Sequence, residues 1–424
     1  MRLALAVFWL AATSLPAAEP LPILSLPPES VVRGAMEASP RLQGAHEAIA
    51  SGLAIQQRLD AGTHEWEISA MTQRRTDAVG IRRDEQEYGL QRGMRWPWKA
   101  SLDRQMGAQA RDVGELAYAD AWHEAGRSIL DLWFGWLDAE LGLQRLNEQL
   151  RVLVDQEQTV ERRVNAGDAA QLELQLATAQ TRHLQATRGD IARNSLQARE
   201  ALLREFPDLA LPLPGSIADP VALSDDDGTW FDRIVVDNHE IELAEAHAEA
   251  ARLASVRSGR ERLADPKLGL RYSGNLDGDR EVIGLQISMA LGGEGRSADS
   301  ARARSAARAA ASESQGVRLA VESAARSAIS DARLRYQSWR DLASAAQQTQ
   351  QTAAAVARGY ALGEFDLATM LNSRRTALDL QQALESAQLA ALKAHARVLL
   401  DAHQLWALPH DEEGDLAKEE LTRN

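Results

Sequence analysis

In two places along this chain, apolar and polar residues alternate with a period of two. The first runs Glu65-Trp66-Glu67-Ile68-Ser69-Ala70-Met71-Thr72 and, after a charged stretch, Tyr88-Gly89-Leu90-Gln91-Arg92-Gly93-Met94-Arg95-Trp96. The second runs Lys267-Leu268-Gly269-Leu270-Arg271-Tyr272 and then Ile283-Gly284-Leu285-Gln286-Ile287-Ser288-Met289-Ala290-Leu291. A period of two sends successive side chains to opposite faces of a strand, so the pattern predicts four strands of about 8–10 residues. They pair as two hairpins, and Asp277-Gly278 is a turn signal for the second. The rest is different. Proline is absent between Pro97 and Pro207 and again between Pro266 and Pro409, and both stretches are rich in Ala, Leu, Gln, Glu and Arg. Proline breaks helix interiors and these residues favour them. A helix from Lys99 to about Asn165 would run about 100 Å at 1.5 Å per residue. A second, from Ser297 to about Ala361, is nearly as long.

The two halves repeat each other. Tyr88-Gly89-Leu90-Gln91-x-x-Met94 matches Ile283-Gly284-Leu285-Gln286-x-x-Met289 at an offset of 195, and Val164-Asn165-Ala166-Gly167 matches Tyr360-Ala361-Leu362-Gly363 at an offset of 196. Gly167 and Gly363 interrupt helical patterns and are followed by Asp168 and Glu364. A glycine ending one helix and an acid opening the next is how antiparallel helices are joined. Each half reads as a leading helix, a hairpin, a long helix, a tight turn and a shorter returning helix. The expected units are 19–205 (hairpin 65–97, helical hairpin 99–205) and 229–405 (hairpin 266–291, helical hairpin 297–405), with a linker at 206–228 and a tail at 406–424. The leading helices are expected over 28–62 and 229–263.

The N-terminus adds a destination. Arg2 precedes an apolar run from Leu3 to Ala12 and small residues through Ala17 and Ala18, which reads as a signal peptide over 1–18. The run is too short to span a bilayer, which takes about 20 apolar residues. An exported chain with four alternating strands then raises the barrel as a solution. Four strands close nothing alone, but three copies would give twelve, within the range of transmembrane barrels. Leu268, Leu270, Tyr272, Ile283, Leu285, Ile287, Met289 and Leu291 would face lipid, and Gly284, Gln286 and Ser288 the lumen. Trp96 and Trp98 suit an interfacial aromatic girdle. Arg92, equivalent to Ile287, is out of place on a lipid face and suggests a local register shift.

Composition narrows the chemistry. The 424 residues carry 47 basic and 61 acidic side chains, a net charge of −14, and no cysteine. The acidity argues against a nucleic-acid partner. The missing cysteine rules out disulfides, thiolate ligands and a lipidated N-terminal Cys.

With these features in place, the chain resembles the TolC-like outer-membrane efflux protein family over essentially its whole mature length. The resemblance rests on the duplicated strand–strand–long-helix unit and two helix-turn segments. These are Arg163-Val164-Asn165-Ala166-Gly167-Asp168 with Leu172-Glu173-Leu174 and Ala177, and Arg358-Gly359-Tyr360-Ala361-Leu362-Gly363-Glu364-Phe365-Asp366-Leu367. It implies a mostly α fold with a membrane β-barrel: a homotrimer forming a twelve-stranded outer-membrane barrel continued by a periplasmic α-helical tunnel. It implies a passive exit duct that meets a periplasmic adaptor and an inner-membrane transporter. The turns holding Val164, Gly167, Asp168, Tyr360, Gly363 and Glu364 would be the tips an adaptor reads. Asp168, Glu364 and Asp366, each present three times around the axis, are gate candidates, with Arg163, Arg358, Arg374 and Arg375 as partners in a closed state. Length and the short tail resemble the heavy-metal (cobalt–zinc–cadmium) branch.

No catalytic set can be assembled, so no enzyme activity and no cofactor are expected. The nine histidines include no pair three or four apart, and His239/His247 and His395/His403 are two turns apart, too far to share one ion. They read as surface or groove-lining residues. Asn275-x-Asp277-x-Asp279 lacks the glycine and glutamate of a calcium loop. Asp225-Asp226-Asp227 reads as a helix cap. Gly292-Gly293-Glu294-Gly295 lacks the lysine of a phosphate loop and reads as a strand-to-helix elbow. The alternative to a duct is a periplasmic coiled-coil scaffold or adaptor without its own pore. The chain contains two helical hairpins and no lipoyl-like domain, which favours the duct.

Overall fold

The structure is a computed structural model that describes residues 26–62, 64–76, 78–80, 82–211, 217–275 and 280–408. The signal-peptide expectation, the Asp277-Gly278 turn and most of the tail lie outside the described residues.

The order of elements repeats. In the first half, α1 (Glu29–Glu37) and α2 (Pro40–Ala61) lead into β1 (Trp66–Thr76), β2 (Arg82–Gly93), α3 (Pro97–Asn165) and α4 (Gln171–Glu205). In the second, α5 (Asp227–Val235) and α6 (His239–Arg260) lead into β3 (Lys267–Asn275), β4 (Glu281–Ser288), α7 (Glu294–Ala361) and α8 (Leu367–Asp401). The paired lengths nearly coincide: 69 and 68 residues for α3 and α7, 35 for both α4 and α8. No described helix is long and apolar enough to cross a membrane.

Three expectations need correction. Each leading helix is two helices, because a new N-cap intervenes. The Ser39 side chain accepts from the Leu42 N–H with Pro40 opening α2, and Asn238 accepts from Ile241 N–H at 3.1 Å to open α6. The strands of the first hairpin are longer than expected, at 11 and 12 residues. The tail does not begin at 406: Trp406 is buried in the core, and its carbonyl accepts from Trp122 Nε1 at 2.8 Å. The Asp225–Asp227 reading holds, with Asp226 capping α5 through the Gly228 and Thr229 N–H groups.

The strands form one antiparallel sheet in the order β1-β2-β3-β4. Below it, α3 packs against α2 and α6, and further down against α4 and α8, while α7 packs against α6 and α8. Glycines let α2 and α3 approach closely: a Cβ on Gly52 would stand 2.5 Å from the Ala110 carbonyl oxygen. The largest apolar cluster lies midway along the helices, where Trp122, Ile129, Trp133, Phe134 and Trp136 of α3 meet α1, Phe206 and Leu400. A smaller one, of Val160, Leu367, Met370 and Leu371, sits beside the far turns.

Candidate functional site: an apolar sheet face and two helical tips

The register sorts the sheet into two unlike faces. Four rows cross all four strands on one side: Trp66-Arg92-Leu268-Ile287, Ile68-Leu90-Leu270-Leu285, Ala70-Tyr88-Tyr272-Ile283 and Thr72-Gln86-Gly274-Glu281. The first three are apolar except for one residue and open to the outside, with Ile68 at 84% and Leu285 at 81% exposure. The next position on this face is the Arg74–Asp84 ion pair, 2.6 Å. The three apolar rows, from Trp66 to Ala70, span roughly 13 Å along a strand, about half the ~25 Å apolar band of outer-membrane barrels; the Thr72-Gln86-Gly274-Glu281 row beyond them is polar. The opposite face is polar, with Glu67 bonded to Lys267 at 2.6 Å and to Gln91, and Glu87 paired with Arg271.

Arg92 causes no register shift. The pairing runs uninterrupted past it. It lies at the helix-proximal end of the apolar face, with its guanidinium 5.4 Å from the Trp66 ring centre and its Nε donating to the His64 carbonyl at 3.3 Å. Aromatic stacking plus a backbone acceptor satisfies a charge at such an edge.

The strand-to-helix junction is built from aromatics and buried charge. Trp96 and Trp98 stack with centroids 4.7 Å apart, and Trp96 Nε1 donates to the Ala264 carbonyl. Beneath them Lys99 is fully buried, paired with Asp265 at 3.0 Å and Glu261 at 3.2 Å. Asp103 takes Arg95 and Arg257 at 2.8 and 2.5 Å. The set ties the start of α3 to the end of α6. Sequence reasoning missed it, since the residues of α3 and their partners around the end of α6 lie more than 150 positions apart.

The two tip turns are the same motif. The Asp168 N–H donates to the Arg163 carbonyl and the Gly167 N–H to that of Val164. Glu364 and Gly363 repeat this onto Gly359 and Tyr360. These are Schellman ends with glycine in the left-handed region, φ 76° at Gly167 and 79° at Gly363. Valine at Gly363 would meet no steric neighbour but would have to hold that φ, at a cost of about 2 kcal/mol. We expect Gly363→Val to weaken any partner docking at the tip, while Gly363→Asn, which tolerates left-handed backbone, stays near wild type. Pull-down by tip cross-linking would show the difference.

Among the predicted tip residues, Val164 and Tyr360 pack together on the cluster of Val160 and Leu367. Asp168 is paired with Arg163 at 3.1 Å. Arg163 also donates to the Tyr360 hydroxyl, which donates to Glu173 at 3.3 Å. Arg163, Tyr360 and Glu173 therefore link α3, α7 and α4. Asp366 is the N-cap of α8, accepting from the Thr369 N–H at 2.7 Å, and its bonds to Thr369 hold its carboxyl below the usual range. That contact accounts for the residue as a cap. Glu364 is exposed. Arg374 bonds Gln156 and Arg375 pairs with Asp379 on its own helix. Leu362 and Leu172 are exposed at the ends, at 76% and 64%.

Midway along the helices lies a polar cluster invisible in the sequence. Buried Asp401 accepts from Arg127 at 3.0 Å, Arg397 at 2.8 Å and His123 at 3.1 Å. Against the surface reading of the histidines, His123 is buried and packs near His239 and His403.

Solved structures share this architecture. The chain matches the CmeC outer membrane channel of Campylobacter jejuni with a TM-score of 0.72 at 14% identity, over 92% of this chain and 88% of that one. It matches the outer membrane protein VceC of Vibrio cholerae with a TM-score of 0.73 at 16% identity, over 88% and 95%. The open-state MtrE outer membrane channel of Neisseria gonorrhoeae matches with 0.68 at 15% identity, over 89% of both. No protein-family model matches the chain, and no characterised protein matches it in sequence. The chain has the fold of outer-membrane channels.

Proposed function

We propose that the protein is the outer-membrane exit duct of a tripartite efflux system, of the TolC-like family, passively conducting cargo delivered by an adaptor and an inner-membrane pump. One observation carries this reading: a four-stranded sheet with a continuous exposed apolar face, mounted on two long helices and ending in two free edges. The β1 edge follows α2, which exposes Leu53 and Ile55, and the β4 edge leads into α7, which exposes Leu319 and Leu334. Open edges invite pairing. Joining the β4 edge of one copy to the β1 edge of the next is a head-to-tail contact that closes as a ring. Three copies give the twelve-stranded barrel that the resemblance implies, with the polar face of each sheet lining the lumen.

At the other end, the Arg163–Tyr360–Glu173 link supports a closed tip, with Asp168 as a second anchor and Glu364 and Asp366 as acids near the mouth. Removing the hydroxyl in Tyr360→Phe deletes the shared hydrogen bond. The expected result is a several-fold rise in single-channel conductance in planar bilayers, and unchanged conductance would remove Tyr360 from the gate. The heavy-metal branch rests on length and tail alone.

Because the chain has no cysteine, Ala166→Cys and Leu362→Cys place single thiols beside the tip turns. Cross-linking in cells should capture an adaptor and an inner-membrane pump, whose class names the cargo. Capture of copies of this chain alone, with no transport partner, would overturn the duct.

A further inference from the structure

The end of α8 is built like the two tip turns, with a histidine where they have glycine. The Gln404 N–H donates to the Leu399 carbonyl at 2.8 Å and the His403 N–H to that of Leu400 at 3.0 Å. This is the Schellman pattern again, with His403 in the left-handed region at φ 58°. Trp406 follows at φ 53°, and among the described residues these two are the non-glycine residues with positive φ. A bulky side chain avoids that conformation, which persists only where the surroundings impose it. Here they do. The Trp406 ring is buried, and the Trp406 carbonyl accepts from Trp122 Nε1 of α3 at 2.8 Å.

The segment held down in this way covers a cluster of imidazoles. The His403 ring lies against His239 of α6 and His123 of α3, with centroids 4.7 and 5.5 Å away, and those two rings are 6.4 Å apart. All three line one cavity of about 10 Å³ together with Leu405, Trp406 and Leu408, room for a single water at most. Buried His123 bonds Asp401, and His239 and His403 are likewise engaged within the fold. The charged groups around them are Asp120, Glu124 and Arg127 from α3, Glu240 and Glu242 from α6, and Arg397 and Asp401 from α8. Asp237 stands just before α6, Arg41 of α2 faces Asp120, and Arg33 of α1 lies over the Trp122 ring at 5.9 Å. The Asp401 carboxylate already has Arg127 and Arg397, so little unmatched negative charge meets a proton arriving on His123.

We propose that His403–Leu408 is an acid-released strap, closed over His123 and His239 at neutral pH and let go as the imidazoles take up protons. Imidazolium charges at these separations repel, and a cavity with room for one water cannot hydrate them. Release lets water in and relaxes two residues from the left-handed region. Burial, helped by Arg127 and His403, lowers His123 despite its bond to Asp401, whereas in water an imidazole binds its proton near pH 6.5. The open form therefore takes up protons first and gains on the closed form as pH falls below about 6.5. Asp120 and Glu240, which burial raises, act in the opposite sense, because the closed form binds their protons first. The strap stands on its own geometry and is independent of the duct reading.

The test is hydrogen exchange of the detergent-purified full chain, read by mass spectrometry on peptides spanning 399–408 at about pH 7.5 and about pH 5.5. Labelling times are scaled for the pH dependence of amide exchange itself. Each proton taken up gives about tenfold per pH unit, so protection of the His403 and Gln404 amides should fall at least about tenfold in wild type while α7 stays protected. His123→Gln keeps an N–H for Asp401 but cannot be protonated, and should hold its protection at both pH values. His403→Gly, which accepts positive φ without strain, should be better protected than wild type near pH 5.5. Circular dichroism shows that each variant is folded. Equal wild-type protection at both pH values, a loss shared by α7, or a loss as steep in both variants would overturn the strap.

Discussion

On the proposed duct reading, a Leu285→Arg chain should keep its helices and fail to accumulate as an outer-membrane trimer. Leu285 lies in the middle apolar row, in register with Leu270, Leu90 and Ile68, and is almost fully exposed in the protomer. An arginine on the lipid face of a barrel costs about 2–4 kcal/mol at the bilayer midplane. In a ring of three it would occur three times, roughly 6–12 kcal/mol per barrel, comparable to the whole stability of an ordinary domain. Neighbouring Gln286 points the other way, to the polar face shared with Gln91 and Glu67. Gln286→Arg is the matched control, with the same side chain one residue along, and should assemble normally. Membrane fractionation with native gels separates the cases. If both variants assemble equally, the apolar face does not meet lipid, and the sheet must cover its rows against protein instead.

What could be read from the sequence follows from how local each cause is. The hairpins and tips were legible because alternation, Gly167 and Gly363 act within a few residues, and duplication shows each signal twice. The Schellman bonds and positive φ at both glycines are the physical content of that signal. The breaks between α1 and α2 and between α5 and α6 were also locally encoded, in Ser39-Pro40 and Asn238, but proline-poor helical composition on either side masked them. Arg92 misled because its compensation, the Trp66 ring and a carbonyl, depends on the first strand's partner geometry. Lys99 and the histidine cluster could not be read at all. Lys99 is paired with Glu261 and Asp265, which lie between α6 and β3, and His123 meets His239 and His403 only because the second repeat folds back along α3. Spacing rules relate neighbours on one helix, and these three residues share none.

Asp401→Asn should destabilise the helical section more than any other single change within it. Burial alone would push this carboxyl toward its neutral form. The His123 hydrogen bond and the charges of Arg127 and Arg397 overcome that and hold it well below the ordinary carboxylate range. Removing one member of a buried ion set leaves the others uncompensated, at about 3–5 kcal/mol. Arg397 is about a third exposed and can rehydrate, so about 2–4 kcal/mol is expected at neutral pH. A depressed acid contributes stability that is complete above the unfolded pKa near 4 and is lost as pH falls toward the folded value. His123, which burial shifts downward, acts in the same direction over a higher range, because the unfolded chain takes up protons first, below about 6.5. Wild-type protein should therefore lose stability in two stages on acidification, one below about pH 6.5 and a steeper one below about pH 4. The Asn variant should melt several degrees lower at pH 7, lack the second stage, and converge on wild type in acid. Circular dichroism melts in detergent would measure both. Parallel curves for the two proteins from pH 7 to pH 3 would show that Asp401 is not the charged centre of this cluster.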